Sequence, residues 1–295
     1  MATHRARRRY TAFAGGLAVL AFILGFMTSP ANAAPPPPVT YVALGDSYTA
    51  GTGSGGLYRP PVACWQSHPG YVDDVAATGR VTLLANLACH GAVLSPASPF
   101  YDGVTPTVLE QVLGGQPALQ NAGLVSVTAG AIDAGSLLIL AACSAPGPVS
   151  CADTVAAVAA NLPSLQAGLV STYQAIQAAA PNARIAVMGY PRLFDPVNGV
   201  PVLPPSNQLL VNQAVDALNA TIKAAVLASG TNAQFVDVTS RFIGHAANSG
   251  AESWIVLEFL SPLPDANFHP NVAGHLNGYA SALISAIKPA KLAKQ

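Results

Sequence analysis

Five short apolar runs, separated by segments of helical length, are the feature that most constrains the fold of this chain. The runs occupy residues 40–45, 81–87, 123–130, 183–190 and 233–238. Continuous apolar runs rich in β-branched residues are typical of strands that are buried on both faces. The segments between them predict helices around 105–113, 153–180, 207–228 and 271–288. This alternation predicts an α/β fold, a three-layer α/β/α sandwich with a mostly parallel five-stranded sheet.

The first 33 residues have the pattern of a secretory signal peptide. Four arginines between positions 5 and 9 precede an apolar run, and the small-residue sequence Ala31-Asn32-Ala33 follows it. Cleavage is predicted after Ala33. An uncleaved anchor helix is the alternative, because the run approaches the length that spans a membrane, although three glycines interrupt it. Arg8-Arg9 also matches a twin-arginine signal weakly, so the sequence leaves open whether export is by Sec or Tat.

The rest of the chain is interpreted as one domain behind a short tether. Residues 34–39 are Pro-rich and predict an extended segment, and residues 40–295 are expected to form a single domain. About 260 residues are enough to bury a sizeable core. Nothing in the sequence specifies an oligomer, so a monomer is expected.

The charge balance argues against a nucleic-acid partner. All thirteen acidic residues follow the leader, whereas four of the thirteen Lys and Arg residues lie within it. The mature chain therefore carries four more acidic than basic side chains, which does not suit a phosphate backbone.

The four cysteines predict two disulfide bonds. An even number of cysteines in an exported chain favours bridges over free thiols. Three pairings are possible, and we favour the local one, Cys64 with Cys89 and Cys143 with Cys151, because it closes two loops without threading. A metal site is the alternative, but the sequence has neither a CxxC pair nor clustered histidines beside the cysteines. No metal or organic cofactor is expected.

Polar and glycine residues follow the first three predicted strands. Gly45-Asp46-Ser47 ends the first, Cys89-His90-Gly91 follows the second, and Gly130-Ala131-Ile132-Asp133 follows the third, while His269 precedes the last helix. The carboxyl ends of parallel strands meet at one edge of a sheet, so these groups are expected to converge. A serine hydroxyl becomes a nucleophile when a base takes its proton. Ser47 is the candidate nucleophile at the start of a predicted helix, or simply its N-cap, and His269 is the candidate base.

These four segments resemble the sequence blocks of the SGNH, or GDSL, hydrolases. The blocks GDSYTAG, ACHGA, GAID and FHPNVAGH occur in the family's order along nearly all of the mature chain. The stretch CWQSHPGY and the cysteine spacing are similar to those of secreted actinobacterial lipases and esterases. The resemblance implies a flavodoxin-like sheet and ester hydrolysis through an acyl-serine intermediate. It makes Ser47 the nucleophile and His269 the general base, and it assigns the main-chain N–H groups of Ser47 and Gly91 to the oxyanion hole.

This chain departs from the family pattern at three positions. Ile132 replaces the asparagine that supplies a third oxyanion donor, and loss of one such donor costs about 10²–10³ in turnover; His90 is the neighbour that could substitute. Ala266 stands where the family's DxxH pattern has its acid, so either Asp265 or a main-chain carbonyl near Ala266 is expected to orient His269. Asn248 occupies the expected position of a cysteine from a third disulfide.

Three functions from different classes fit these residues. The first is a secreted lipase or esterase that acts on lipids or small acyl esters, with possible peripheral contact with the cell envelope. The second is an acyltransferase or deacylase of envelope glycans, for which we would expect more exposed aromatic residues than Trp65 and Trp254. The third is a catalytically weakened lipid-binding homologue, suggested by Ile132. The hydrolase is preferred because Ser47, Gly91 and His269 are all retained.

Overall fold

The carboxyl-terminal part of the chain, from Pro37, forms one compact unit in a computed structural model. The structure describes residues 37–58, 64–144, 149–197, 200, 203–259 and 265–292. The predicted signal peptide and the first half of the tether lie outside the described residues.

The strands that the sequence predicts form one parallel sheet. The described strands are β1 (Val39–Gly45), β2 (Gly56–Tyr58), β3 (Gln66–His68), β4 (Val81–Asn86), β5 (Leu124–Thr128), β6 (Arg184–Met188) and β7 (Ala233–Val236). Five of them pair in the order β4-β1-β5-β6-β7, and every pairing is parallel. This is the flavodoxin-like order, so the predicted fold class is confirmed. The hairpin of β2 and β3, which the sequence did not predict, is antiparallel and lies outside this sheet.

Helices cover both faces of the sheet. They are α1 (Tyr71–Ala77), α2 (Val108–Gly114), α3 (Gln116–Leu119), α4 (Ser136–Ser144), α5 (Cys151–Ala179), α6 (Pro205–Ala228), α7 (Ser281–Ile287) and α8 (Pro289–Leu292), with a π-helical segment at Gly274–Ala280 before α7. Helices α2, α4, α5 and α6 pack together on one face, and α1, the π-helical segment and α7 pack on the other. Helices α1 and α4 and the single-turn helices α3 and α8 were not predicted. The sequence of α4, SLLILAACS, is apolar all round and therefore has no helical period to detect.

Side chains at the helix starts explain where two predicted helices begin. Thr107 and Glu110 form a capping box at α2: the Glu110 N–H donates to Thr107 Oγ1 at 3.3 Å and the Thr107 N–H donates to Glu110 Oε2 at 2.9 Å. Ser150 caps α5 by accepting the N–H of Asp153 at 3.1 Å. These caps satisfy N–H groups that have no partner inside the helix.

The carboxyl ends of β1 and β5 come unusually close together. Gly45 has φ +129°, and a Cβ atom there would lie 2.1 Å from the carbonyl oxygen of Thr128. Only glycine fits this position, because any side chain would collide with the neighbouring strand. The close approach places the segment that follows β1 at the edge of the sheet where the site forms.

Two disulfides and one pair of hydrogen bonds hold the loops at this edge. Cys64 pairs with Cys89 and Cys143 pairs with Cys151, as the sequence predicts, and the second bridge joins the end of α4 to the start of α5. Asn248 supplies a polar link in place of the third bridge. Its side chain accepts the Asp195 N–H and donates to the Asp195 carbonyl, each at 2.7 Å.

Candidate active site

Ser47 and His269 meet at the carboxyl edge of the sheet. The Ser47 Oγ atom lies 2.7 Å from the Nε2 atom of His269, although 222 residues separate them in the chain. Turns rather than the predicted helix follow Ser47, with the Ala50 N–H donating to the Asp46 carbonyl at 2.9 Å. Ser47 is therefore not a helix N-cap. Its hydroxyl is positioned by the tight exit from β1 instead.

A main-chain carbonyl orients the imidazole of His269. The Nδ1 atom lies 2.9 Å from the carbonyl oxygen of Asn267, which can only accept, so Nδ1 carries the proton and Nε2 is the acceptor for the serine hydroxyl. Removal of most of its water lowers the pKa of His269 to about 4, while the carbonyls of Asn267, Ala266 and Asp265 act in the opposite direction. The imidazole of His269 is therefore neutral at physiological pH.

Asp265 does not occupy the position that the sequence suggested for it. It is exposed, and its carboxylate acts on the pKa of His269 through its charge, as the smallest of the contributions. The structure thus has a main-chain carbonyl at Nδ1, the second of the two alternatives. The carbonyl belongs to Asn267, one residue after Ala266, where the family pattern has its acid.

The loop that presents this carbonyl is fixed by Asn267 and Phe268. The Asn267 side chain accepts the Glu258 N–H and donates to the Glu258 carbonyl, each at 2.7 Å. Phe268 adopts φ +64°, a left-handed conformation that is uncommon outside glycine and turns the chain between Asn267 and His269. Tyr48 Oη donates to the Phe268 carbonyl at 2.6 Å. Sequence reasoning missed Asn267, because a main-chain acceptor has no residue-type signature.

Asp46, which precedes Ser47, is held in place by three hydrogen bonds. Its carboxylate accepts hydrogen bonds from Thr128 Oγ1 at 2.7 Å, from the Tyr48 N–H at 3.0 Å and from the Tyr190 hydroxyl. Burial raises its pKa, and these three donors act against that shift. With its oxygens already bonded, Asp46 is a structural residue of the turn.

Two main-chain N–H groups are available for an oxyanion. Within the described part of the chain, the N–H groups of Ser47 and Gly91 have no protein acceptor, and both residues line the same cavity of 210 Å³. Gly91 has φ +83°, which glycine adopts without strain. Ile132 lines this cavity as well and brings no hydrogen-bonding group.

His90 forms part of the same wall. Its Nδ1 atom lies 2.9 Å from Thr52 Oγ1, and its ring stacks on Trp65 with centroids 3.7 Å apart. The ring centroid lies 5.6 Å from that of His269. The hydrogen bond to Thr52 and the stacking on Trp65 thus fix the plane of the His90 ring beside His269.

The site cavity adjoins two larger spaces. Behind the serine, a cavity of 270 Å³ between α4, α5 and α6 shares Leu140, Leu193 and Val215 with the site cavity. In front, a wider cleft of 640 Å³ shares Leu137 and Phe268 with it. The lining of both is predominantly apolar. Among the described residues, no cluster of three His, Cys, Asp or Glu side chains could hold a metal ion.

Comparison with known proteins identifies the family. The family model of the GDSL-like lipase/acylhydrolases matches residues 43–276, a range that includes both Ser47 and His269. The chain belongs to the GDSL-like lipase/acylhydrolase family. This GDSL hydrolase is 32% identical to a lipase of Streptomyces rimosus over 281 residues, which cover 94% of this chain and 98% of the relative.

Solved structures agree with this assignment. The GDSL hydrolase matches the phospholipase A1 of Streptomyces albidoflavus NA297 and the extracellular lipase of Streptomyces rimosus, each with a TM-score of 0.70 and 30% identity. Each match covers 84% of this chain and 99% of the solved chain. Family membership makes the GDSL hydrolase a carboxylic ester hydrolase.

Proposed function

We propose that this hydrolase cleaves acyl esters of lipids through a covalent intermediate on Ser47. The observation that carries the proposal is the 2.7 Å contact between Ser47 Oγ and His269 Nε2, with His269 Nδ1 held by the Asn267 carbonyl. A neutral, oriented imidazole beside a serine is the arrangement that activates the hydroxyl.

In the first half of the reaction, His269 Nε2 takes the proton of Ser47 as Oγ attacks the ester carbonyl carbon. The negative charge that develops on the carbonyl oxygen is stabilised by the N–H groups of Ser47 and Gly91. The tetrahedral species then collapses, the bond to the alcohol oxygen breaks, and Nε2 returns the proton to that oxygen. The alcohol leaves and the acyl group remains on Ser47.

In the second half, water takes the place of the alcohol. His269 Nε2 accepts a proton from the water as the water oxygen attacks the acyl carbon. The proton then passes to Ser47 Oγ as the bond between Oγ and the acyl carbon breaks. While Nε2 is protonated, the imidazolium is stabilised by the carbonyl dipoles of residues 265–267 and by the charge of Asp265. The products are a carboxylic acid and the free serine.

The apolar spaces beside Ser47 favour an acyl chain as the bound group. The cavity behind the serine is lined by Ile139, Leu140, Leu162 and other apolar side chains. Burial of methylene groups there is favourable by about 0.8 kcal/mol each. The matched relatives are named lipase and phospholipase A1, which supports a lipid or acyl ester for this chain as well.

Export and a monomeric state are part of the proposal. The residues before Pro37 have the signal-peptide pattern described above, and one solved relative is an extracellular lipase. We therefore place the mature enzyme outside the cell or at the cell envelope. Sedimentation analysis of the secreted protein would show whether it is a monomer. N-terminal sequencing of the same protein would show where the signal peptide is cleaved.

The decisive experiment is hydrolysis of p-nitrophenyl esters of increasing acyl length by the purified protein and by Ser47→Ala. We expect Ser47→Ala to abolish turnover, whereas Ser171→Ala, which changes an exposed serine on α5, should leave it unchanged. The chain-length profile would report the depth of the apolar cavity. Turnover that survives in Ser47→Ala would overturn the proposal. Product analysis with an added alcohol would distinguish hydrolysis from acyl transfer.

A further inference from the structure

Large apolar side chains are exposed at the mouth of the outer cleft and next to it on α4. Leu137 is 64% exposed, Leu138 51% and Phe259 51%. Leu137 and Phe259 both line the cleft that leads to His269. Exposed apolar side chains that border a cleft indicate a surface that binds something apolar. We call these three residues the α4 rim.

Helix α4 connects this rim to the interior of the site. Its Ile139 is buried and lines the cavity behind the serine, whereas Leu137 and Leu138 face outward. The bridge from Cys143 to Cys151 ties the end of α4 to α5. Leu137 lines both the outer cleft and the cavity that contains Ser47, so a group held at Leu137 would lie beside the entrance to that cavity.

Helices α4 and α5 beside the rim carry almost no charge, and the charged groups next to Phe259 and in the cleft, Glu258 and Asp265, are both acidic. The chain has no Lys or Arg between Arg80 and Arg184, and Asp153 is its only charged residue from 134 to 183. The first half of α5 exposes several alanines, and among the described helices α5 alone is long and apolar enough to span a membrane by length and composition. Its second half packs into the core through Leu169 and Tyr173. Helix α5 is therefore a helix of this domain whose opposite face is exposed on the surface.

This charge pattern selects among possible occupants. An anionic membrane is bound through clusters of Lys and Arg, which are missing here. Protein interfaces usually surround an apolar centre with a polar rim. A neutral or zwitterionic lipid surface needs neither feature and requires only apolar side chains that enter the boundary between headgroups and acyl chains.

We propose that the α4 rim docks this enzyme on a neutral or zwitterionic lipid surface and that ester substrates pass from that surface into the cleft. Leu137, Leu138 and Phe259 enter the lipid, and the cleft between them and His269 opens against it. The proposal adds to the lipid esterase function that the substrate is taken from a lipid surface. It rests on that function only for the chemistry at Ser47.

The test is flotation of the Ser47→Ala protein with phosphatidylcholine vesicles, because this variant leaves the lipid intact. Leu138→Glu is introduced into it, since Leu138 lines none of the three spaces at the site. We expect Leu138→Glu to reduce the partition constant for the vesicles about tenfold or more, from the loss of one buried leucine. Leu227→Glu is the matched control: Leu227 is 77% exposed near the end of α6, about 13 Å along the helix from the cavity residue Leu218.

A second measurement separates docking from folding and from chemistry. With Ser47 intact, Leu138→Glu should keep its melting temperature and its turnover of p-nitrophenyl butyrate, a dissolved ester, but lose activity on vesicles. If the parent Ser47→Ala protein does not float, if Leu227→Glu weakens binding as much as Leu138→Glu, or if the rim instead forms a dimer in solution, the proposal is wrong. Tighter binding to phosphatidylglycerol than to phosphatidylcholine would also overturn it.

These outcomes distinguish the docking proposal from the proposed reaction. Hydrolysis of dissolved esters that depends on Ser47, without vesicle binding that depends on Leu138, would leave the reaction standing and end the docking proposal. Vesicle binding that depends on Leu138, without any turnover, would leave the docking proposal standing and end the proposed reaction.

Discussion

The Nδ1 atom of His269 lies 2.9 Å from the main-chain carbonyl of Asn267 and forms its orienting hydrogen bond there. A carbonyl fixes the tautomer of the imidazole as a carboxylate would, but it brings only a dipole to balance the imidazolium that forms during the reaction. The side chain of Asn267 holds the loop through Glu258, so one residue both anchors the loop and orients the base.

Replacement of Asp265 should therefore have a small effect. We expect Asp265→Asn to lower kcat/KM by less than about tenfold, because an exposed charge near the base is screened by solvent. The measurement is steady-state kinetics on a dissolved ester. A loss of several orders of magnitude would mean that the carboxylate orients the imidazole during the reaction.

Asn267→Ala provides the contrast within the same loop. It removes both hydrogen bonds to Glu258 and should lower kcat more than Asp265→Asn does, by about tenfold or more, because a small displacement of the base weakens catalysis strongly. Equal effects of the two variants would show that the anchor at Glu258 does not control the position of His269.

Ile132→Asn should raise turnover. An amide at this position of the site cavity would add a third donor for the oxyanion, and one such donor contributes about 10²–10³ in kcat in other acyl-transfer enzymes. We expect a gain of up to about 10²-fold on dissolved esters. Ile132→Val is the control, since it trims the side chain without adding a donor and should give no gain. An unchanged rate in Ile132→Asn would mean that the oxyanion is already fully stabilised.

The pH dependence of activity should reflect a depressed pKa of the base. His269 must be neutral to accept the serine proton, and its pKa is lowered to about 4. The profile of kcat/KM should therefore stay flat down to about pH 5 and fall as His269 becomes protonated near pH 4. Samples returned to pH 7 after each exposure control for unfolding. An acidic limb near pH 6.5, the value of a solvated histidine, would contradict this prediction.

The lowered pKa values of His269 and the buried His275 should make the folded chain less stable in acid. The pKa of each is about 4 in the folded chain, mainly because burial disfavours the charged form. The unfolded chain therefore binds more protons below pH 6.5, so the stability that these neutral rings contribute is present above pH 6.5 and is lost as the pH falls through 4. His275→Gln should reduce the fall in melting temperature between pH 7 and pH 4. An unchanged fall would assign acid unfolding to other groups.

The two disulfides should contribute unequally to stability. The bridge from Cys64 to Cys89 spans 25 residues and that from Cys143 to Cys151 spans 8. A longer loop loses more entropy in the unfolded chain when it is closed, so removal of the first bridge by paired serine substitutions should lower the melting temperature more. Thermal unfolding of the two double variants measures the difference. The reverse order would mean that strain or residual structure outweighs loop length.

The sequence predicted the sheet well because its strands leave apolar runs: the central strands β1, β5 and β6 are buried on both faces, whereas the edge strands β4 and β7 are only partly buried. It did not predict α4, whose residues 137–143 are apolar on every side, or the short hairpin of β2 and β3. These elements are defined by what surrounds them rather than by their own period.

Within the site, the sequence indicated which side chains come together but not which group orients His269. The four motif blocks indicated Ser47, Gly91 and His269, and the structure brings all three to one cavity. The group that orients His269 could not be read from the sequence, because any residue offers a main-chain carbonyl. The signal that did exist was Ala266 in the position of the family's acid, which suggested that a carboxylate was missing.

The long separation of Ser47 and His269 also orders events in time. The two side chains that must touch lie 222 residues apart, one just after the first strand and the other just before the last helices. A chain that is still being synthesised holds Ser47 but has no imidazole beside it until the segment that carries His269 has been added and has folded. Esters that meet the shorter chain are therefore exposed to an unactivated serine, and the contact between Ser47 and His269 can form only after the segment that carries His269 has folded.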